Sequence, residues 1–482
     1  MNNKKTALVA SIWSFVEKFA TQAVSFIIGI FLARLLSPTD YGIVGLTTIF
    51  IALSNVFIDS GFGNAIIRKQ DRCDNDYSTA FIFNILVGAT CYFLLWITAP
   101  IIADYFHEAN LIPLIRIIGL NVVFNSLCVV QVAILTANLN IKSQTIIALS
   151  SQIPAGIVAI VLAKQGYGVY ALAVQFVLSS FIKVPLLWYC TKWHPRFVFD
   201  KLSFSYLWSF GSKLLGANLI GTFFEQIYSV LIGKYIGKTE LGYYSKAQSL
   251  NQNVNSISVG VVQKVALPLL AGYQHDIALL NEKFRTFMKL LVIIIAGISA
   301  LLFIVAKDLI VLLWTDKWIE SVLLFRILII GAMFGPIGQL SLSLMQATGN
   351  SGMVLKLEIP KKLLYCLYLA IGFHFGIIGL VSTTVVISLT AALINMWATK
   401  KLLPYGFLTQ LIDLFKYMII AFSIALFGGF LIHCNSVLLN ISLLSFCFVS
   451  CYCVVLYIIK DNVFLEYVVD PVVNFIKNRH IS

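Results

Sequence analysis

The chain has 482 residues, 59% of them hydrophobic and only 11% charged, where soluble domains carry about 25% charged side chains. Its mean hydropathy is +0.91 and its formal net charge is +13. A soluble enzyme, a disordered chain and a secreted disulfide scaffold are excluded, because each needs far more polar surface. What remains is an all-α polytopic membrane protein.

Apolar runs fall at 12–36, 42–62, 77–99, 114–137, 145–163, 168–188, 207–232, 241–265, 287–306, 321–347, 354–373, 376–397, 417–433 and 439–459. A span takes about 20 residues plus a short connection, which gives about 14 helices and leaves no room for a sizeable extramembrane domain. Only helices are expected. A lipid-exposed backbone must satisfy its own hydrogen bonds, and long continuous apolar runs do not suit the alternation of a barrel.

The first residues, Met-Asn-Asn-Lys-Lys, run straight into the first apolar segment with no small-residue cleavage site. They read as an uncleaved span with a basic cytoplasmic flank. Alternating from there places Arg68, Lys69, Arg72, Lys192, Arg196, Lys201, Lys283, Arg285, Lys361, Lys362, Lys400, Lys401, Lys477 and Arg479 in or beside inside segments. Few basic residues, among them Lys164, Lys234 and Lys307, fall outside. Both termini are therefore expected in the cytoplasm. The positive charge needs no nucleic acid to explain it; it is mostly this topology signal, with anionic lipid headgroups as a further partner.

The sequence also carries signs of an internal repeat. Trp13-Ser14-Phe15-x-x-Lys18 recurs as Trp208-Ser209-Phe210-x-x-Lys213, each opening a long span. Ser37-Pro38-Thr39-Asp40-Tyr41-Gly42 matches Gly237-Lys238-Thr239-Glu240-Leu241-Gly242 more loosely. Parallel repeats of this kind predict two pseudo-symmetric six-helix lobes, 1–206 and 207–400, with two further spans in 401–482.

A charge at bilayer depth costs several kcal/mol unless it meets partners or water, so intramembrane charges are site candidates. Lys18 and Lys213 lie about 10 Å along their helices at repeat-related positions. They are expected to face a central cavity and attract an anionic headgroup; an ion pair of Lys18 with Glu17 is the structural alternative. Glu225, with Gln22, Asn218 and Gln226 as polar neighbours, and Asp59, at the end of the second span, are the candidates for coupling to H+ or Na+. Arg34, Arg116, Lys246 and Arg326 sit near outer ends and Lys183 near an inner end, where their stems can snorkel. The eighth span opens with a polar stretch that includes Lys246 and Asn251. It suits a wet cavity that hydrogen-bonds sugars, or interhelical polar packing. Lys18, Lys213, Gln22, Gln226, Lys246, Asn251 and Arg34 form the candidate substrate site.

Other motifs lead nowhere. The nine cysteines hold no CxxC pair, and Cys447, Cys451 and Cys453 read as apolar fillers of the last span. The six histidines show no metal-ligand spacing. Gly233-Lys234-Tyr235-Ile236-Gly237-Lys238-Thr239 has three residues between its glycines, where a phosphate-binding loop needs four and a preceding strand. No catalytic residue, metal or cofactor is expected.

Five stretches together carry a resemblance. They are Leu-Leu-Ser-Pro-Thr-Asp-Tyr-Gly at 35–42, Asp-Ser-Gly-Phe-Gly-Asn-Ala-Ile-Ile-Arg-Lys at 59–69, Gly-Tyr-Gly-Val-Tyr-Ala-Leu at 166–172, Trp-His-Pro-Arg-Phe at 193–197, and the run from Ile232 to Gln248. Their order resembles the polysaccharide transporter (Wzx-like) flippases of the multidrug/oligosaccharidyl-lipid/polysaccharide superfamily, in the exopolysaccharide and lipopolysaccharide branch. The resemblance implies a two-lobed bundle working by alternating access in a bacterial inner membrane. Its cargo would be an undecaprenyl-diphosphate-linked oligosaccharide, and polysaccharide assembly proteins would be further partners. It also implies a cationic cavity, in agreement with Lys18 and Lys213. Some members carry an acidic residue just before the Ile-Gly-Lys exit; here the nearest is Glu225. The competing expectations are a multidrug exporter of the same superfamily, which should place carboxylates deep in its lobes, a lipid II flippase, and a membrane polymerase or acyltransferase.

Overall fold

The computed structural model describes residues 2–59, 61–432, 434 and 436–471, with the side chains of 2–12, 261, 351 and 355 left aside. Lys477, Arg479, His433 and His480 lie outside the described residues, as do the side chains of Lys4 and Lys5. Every regular element among the described residues is a helix. Packing divides the chain into two units, Met1–Ser245 and Lys246–Ser482.

The first unit holds α1 (Asn2–Leu35), α2 (Pro38–Asp59), α3 (Phe62–Arg68), α4 (Asp74–Phe106), α5 (Leu111–Ser126), α6 (Val129–Ala137), α7 (Ile141–Lys164), α8 (Val169–Thr191), α9 (Lys201–Leu231) and the first turns of α10 (Lys238–Gly272). The second holds the rest of α10 with α11 (Ile277–Trp314), α12 (Ser321–Ala332), α13 (Phe334–Ala347), α14 (Ser351–Phe373), α15 (Gly376–Thr399), α16 (Phe407–Leu431) and α17 (Val437–Ile458). Among the described residues twelve stretches are long and apolar enough to cross a membrane. α5 and α6, bent by 40° at their break, make one more. α14 is also 23 residues long, but Lys356, Glu358, Lys361 and Lys362 keep it below the same hydropathy standard. The expected figure of about 14 is reached only when that charged helix is counted.

The packing boundary at 245/246 differs from the repeat boundary expected at 206/207. The two describe different properties: the first follows contacts, the second follows sequence similarity. α9 packs along α2 within the first unit, so contact places it there although the sequence reading opened the second lobe with it.

Local chemistry explains the motif at 37–42. The Ser37 Oγ accepts from the Asp40 backbone N–H at 3.2 Å, and the Asp40 carboxylate accepts from the Ser37 backbone N–H at 2.9 Å. This is a reciprocal capping box. Pro38 takes the first helical position, where its missing N–H costs nothing. α9 and α11 start with a simpler side-chain cap, Asp200 accepting from the Ser203 N–H at 2.9 Å and Asp276 from the Leu279 N–H at 3.0 Å.

The two copies of the exit motif meet within the first unit. A Cβ placed on Gly42 would lie 1.6 Å from the Lys238 carbonyl oxygen, and one on Gly242 would lie 1.8 Å from the Pro38 carbonyl oxygen. The Thr39 and Thr239 hydroxyls sit between them, 3.0 Å apart. The two similar segments therefore contact each other reciprocally, at a separation only glycine allows. Gly61 answers a different need: its φ of +68° carries the left-handed turn into α3, hard against Gly211.

Candidate functional site

Helices α2, α3, α5, α6 and α8 line a cavity of about 500 Å³ in the first unit. Asn55 and Asp59 reach it from consecutive turns of α2, Asn125 from α5, Thr136 from α6 and Lys183 from α8. The amides bond to one another. Asn125 Nδ2 donates to Asn55 Oδ1 at 3.1 Å and to Asn121 Oδ1 at 2.7 Å. Asn121 Nδ2 donates to Ser180 Oγ at 2.8 Å, and Ser180 Oγ donates to Asn125 Oδ1 at 3.2 Å. Such closure is what an apolar medium demands of buried amides.

The network leaves the two charges of the wall outside it. Among the described residues no ion pair joins Asp59 to Lys183. A carboxylate and an ammonium that line a cavity without pairing call for water or a polar ligand beside them. The cavity therefore presents amide, carboxylate and ammonium groups to whatever fills it.

Sequence reasoning singled out Asp59 but read Lys183 as snorkelling; the structure places Lys183 on the cavity wall. Asn55 and Asn125 were not singled out. Their signal was present as Asn55/Asp59 and Asn121/Asn125, each four residues apart on one helix face.

The other candidates are dispersed. Lys18 on α1 and Lys213 on α9 both have exposed side chains in the first unit, and neither lines this cavity. Arg34 and Glu225 are exposed and Gln22 is half-buried. Gln226 lies 3.2 Å from the Thr48 hydroxyl, which donates to its Oε1 and ties α9 to α2. In the second unit Lys246 is 7% exposed, with its ammonium 5.2 Å from the ring centroid of Trp314 and 5.9 Å from that of Trp318. Asn251 is equally buried, and its Oδ1 meets no hydrogen-bond donor among the described residues. Arg116 stacks over Trp96 at 4.3 Å, and Arg326 Nε donates to the Phe303 carbonyl at 3.1 Å. Packing on aromatic rings and backbone thus holds these two side chains.

A sequence profile described as "Polysaccharide biosynthesis protein" matches residues 31–323. The chain belongs to that family. Among curated relatives, this polysaccharide biosynthesis protein is 25% identical to the teichuronic acid biosynthesis protein TuaB of Bacillus subtilis over 80% of each chain. It is 22% identical to the succinoglycan biosynthesis transport protein ExoT of Rhizobium meliloti over 66% of this chain and 64% of that one. In fold it matches a solved structure of the lipid II flippase MurJ in an inward closed conformation. The TM-score is 0.72, with 13% identity, over 93% of this chain and 100% of the other. The resemblance read from the ordered motifs is borne out, and so is the all-α polytopic fold. The protein is a multi-pass membrane member of a polysaccharide transporter family.

Proposed function

We propose that the protein is a flippase that carries a polyprenyl-diphosphate-linked oligosaccharide from the cytoplasmic to the outer leaflet of a bacterial inner membrane by alternating access. The family membership carries this reading, and the relatives' names tie that family to polysaccharide assembly and transport. The chemistry of the first-unit cavity supports it. A saccharide headgroup brings hydroxyls and diphosphate oxygens into a hydrocarbon slab, and an amide-lined wall with Lys183 and Asp59 offers both donors and acceptors. The task needs no bond broken. It needs a wet path for the headgroup while the prenyl tail stays in lipid.

In this reading Lys18 and Lys213 attract the diphosphate, with Gln22, Gln226, Arg34, Lys246 and Asn251 as further polar contacts. Asp59 or Glu225 couples transport to H+ or Na+. Both termini lie in the cytoplasm. The test is translocation of undecaprenyl-diphosphate-linked N-acetylglucosamine in vesicles holding the purified chain. Transport that competing lipid II or a cationic drug abolishes would favour those cargoes instead. Lys18→Ala with Lys213→Ala should stop translocation while the chain still inserts, and normal transport by that variant rejects the role of the two lysines.

A further inference from the structure

α14 is the helix whose charges keep it below the hydropathy standard, and its faces differ sharply. Ile359, Leu363, Leu367 and Ile371 follow one another at every fourth residue, and all are more than half exposed. That stripe suits lipid. Glu358, Lys361, Lys362 and Tyr365 recur at three- and four-residue spacing on the opposite face. They line a second cavity of about 290 Å³, closed by α13 and α15 within the second unit. Three of the four charged residues of α14 therefore line this cavity, while Lys356 is exposed outside it; a membrane helix tolerates charges on such a face.

The wall of this cavity is chemically specific. Lys361 Nζ donates to Glu358 Oε1 at 2.9 Å. The Lys362 ammonium lies 5.9 Å from the centroid of the Tyr365 ring. Two ammonium groups thus share the cavity with one carboxylate, so the lining carries a net positive charge. Tyr365, Ser388, Gln339 and Asn395 add neutral donors and acceptors. Asn395 is 3% exposed and gives its Nδ2 to the Gly338 carbonyl at 3.2 Å, yet its Oδ1 meets no donor among the described residues. A buried acceptor left open in a polar cavity costs about 1–3 kcal/mol unless something fills it. The two ammonium groups of the lining favour an anion over a cation, and an apolar group would strand the amides and hydroxyls.

The geometry points to this cavity as a binding site for a sugar carrying a phosphate oxyanion. Lys361 and Lys362 meet the oxyanion, and Asn395, Ser388, Gln339 and Tyr365 read the ring hydroxyls. This deepens the flippase reading and rests on it, since the phosphate-linked first sugar of the cargo is the occupant. Nothing in the hydropathy of the sequence separates these lysines from topology signals; the cavity separates them.

Glucose 1-phosphate serves as the probe, titrated onto the full chain in detergent while the thermal unfolding midpoint is followed. A ligand that binds only the folded chain raises that midpoint. Glucose 1-phosphate should raise it more than glucose or inorganic phosphate at equal concentration. Lys362→Gln should abolish the shift and Lys362→Arg should keep it. Ala391→Leu, which fills the cavity and leaves its charges in place, should also abolish it. A shift that survives both Lys362→Gln and Ala391→Leu overturns the proposal. An equal shift from inorganic phosphate alone overturns it too, because the hydroxyl-reading side chains would then be idle. Vesicle transport separates this inference from the function it rests on. If the wild type translocates lipid-linked saccharide and the double variant Lys361→Gln/Lys362→Gln does so at the same rate, the site fails and the flippase stands. If the wild type translocates nothing while its glucose 1-phosphate shift still depends on Lys362, the flippase reading fails and the site stands.

Discussion

Gly42→Ala places a methyl group where the structure has no room for it. The new Cβ would start 1.6 Å from the Lys238 carbonyl oxygen, and ordinary contact begins at 3.4 Å, so α2 and α10 must part by 1.8 Å there (3.4 less 1.6). The obstructing atom belongs to the backbone and cannot swing aside. Overpacking of this kind costs about 1–3 kcal/mol, set against about 1 kcal/mol that alanine gains over glycine in a helix, so destabilisation wins. Gly242→Ala meets the Pro38 carbonyl at 1.8 Å and should behave alike. The double variant should cost less than the sum of the singles, because one displacement makes room for both methyls. Gly216 on α9, with nothing within 4 Å of its would-be Cβ, is the control; Gly216→Ala should leave stability unchanged or raise it. Thermal unfolding of the purified chain in detergent reads all four variants. Full additivity, or a Gly42→Ala chain as stable as the wild type, would refute the reciprocal contact.

Three further outcomes are expected. Burial pushes the Asp461 carboxyl up, but the Tyr417 hydroxyl at 2.6 Å, the Phe464 N–H at 3.2 Å and Lys416 at 3.2 Å outweigh it and hold it below the usual carboxylate value. Its stabilising contribution is complete above the ordinary value of about 3.9 and fades as pH falls through the lower folded one. Asp461→Asn should cost about 1.5–3 kcal/mol near neutral pH and flatten the acid limb of a stability–pH curve; an unchanged limb would contradict the assignment. Asn125→Leu should destabilise by about 1–3 kcal/mol, since it strands Asn55, Asn121 and Ser180 together, whereas Lys183→Met should lower transport with little change in unfolding midpoint. In a background with its exposed cysteines replaced by serine, Gln165→Cys should react with an impermeant thiol reagent from outside and Asp71→Cys should not. The reverse pattern would invert the orientation expected from the basic residues.

Architecture was the most legible part of the sequence, because hydrocarbon leaves a chain few options. The apolar runs became helical over the described residues, 114–137 and 321–347 each as two helices, so that the bend between α5 and α6 falls inside one run. The capping box at Ser37 and Asp40 was visible as an ordered motif, and so were the glycines at 42 and 242. Their mutual contact was not, because sequence similarity says that two segments correspond without saying that they touch. Sites were harder. Lys183, Lys361 and Lys362 sit near helix ends or basic clusters, where charge looks like topology. What separates them from snorkelling residues is a cavity, and a cavity is made by several helices at once. Lys246 was selected for its polar surroundings in sequence, while in space two tryptophans from a later segment enclose it.

The glycine crossing also bears on which substitutions the two segments admit. Each segment supplies the backbone oxygen that excludes a side chain from the other. A bulkier residue at 42 needs a compensating shift of the chain around 238, and that same shift relaxes the constraint at 242. The two positions thus form one steric unit, in which the tolerance of either depends on the state of its opposite number.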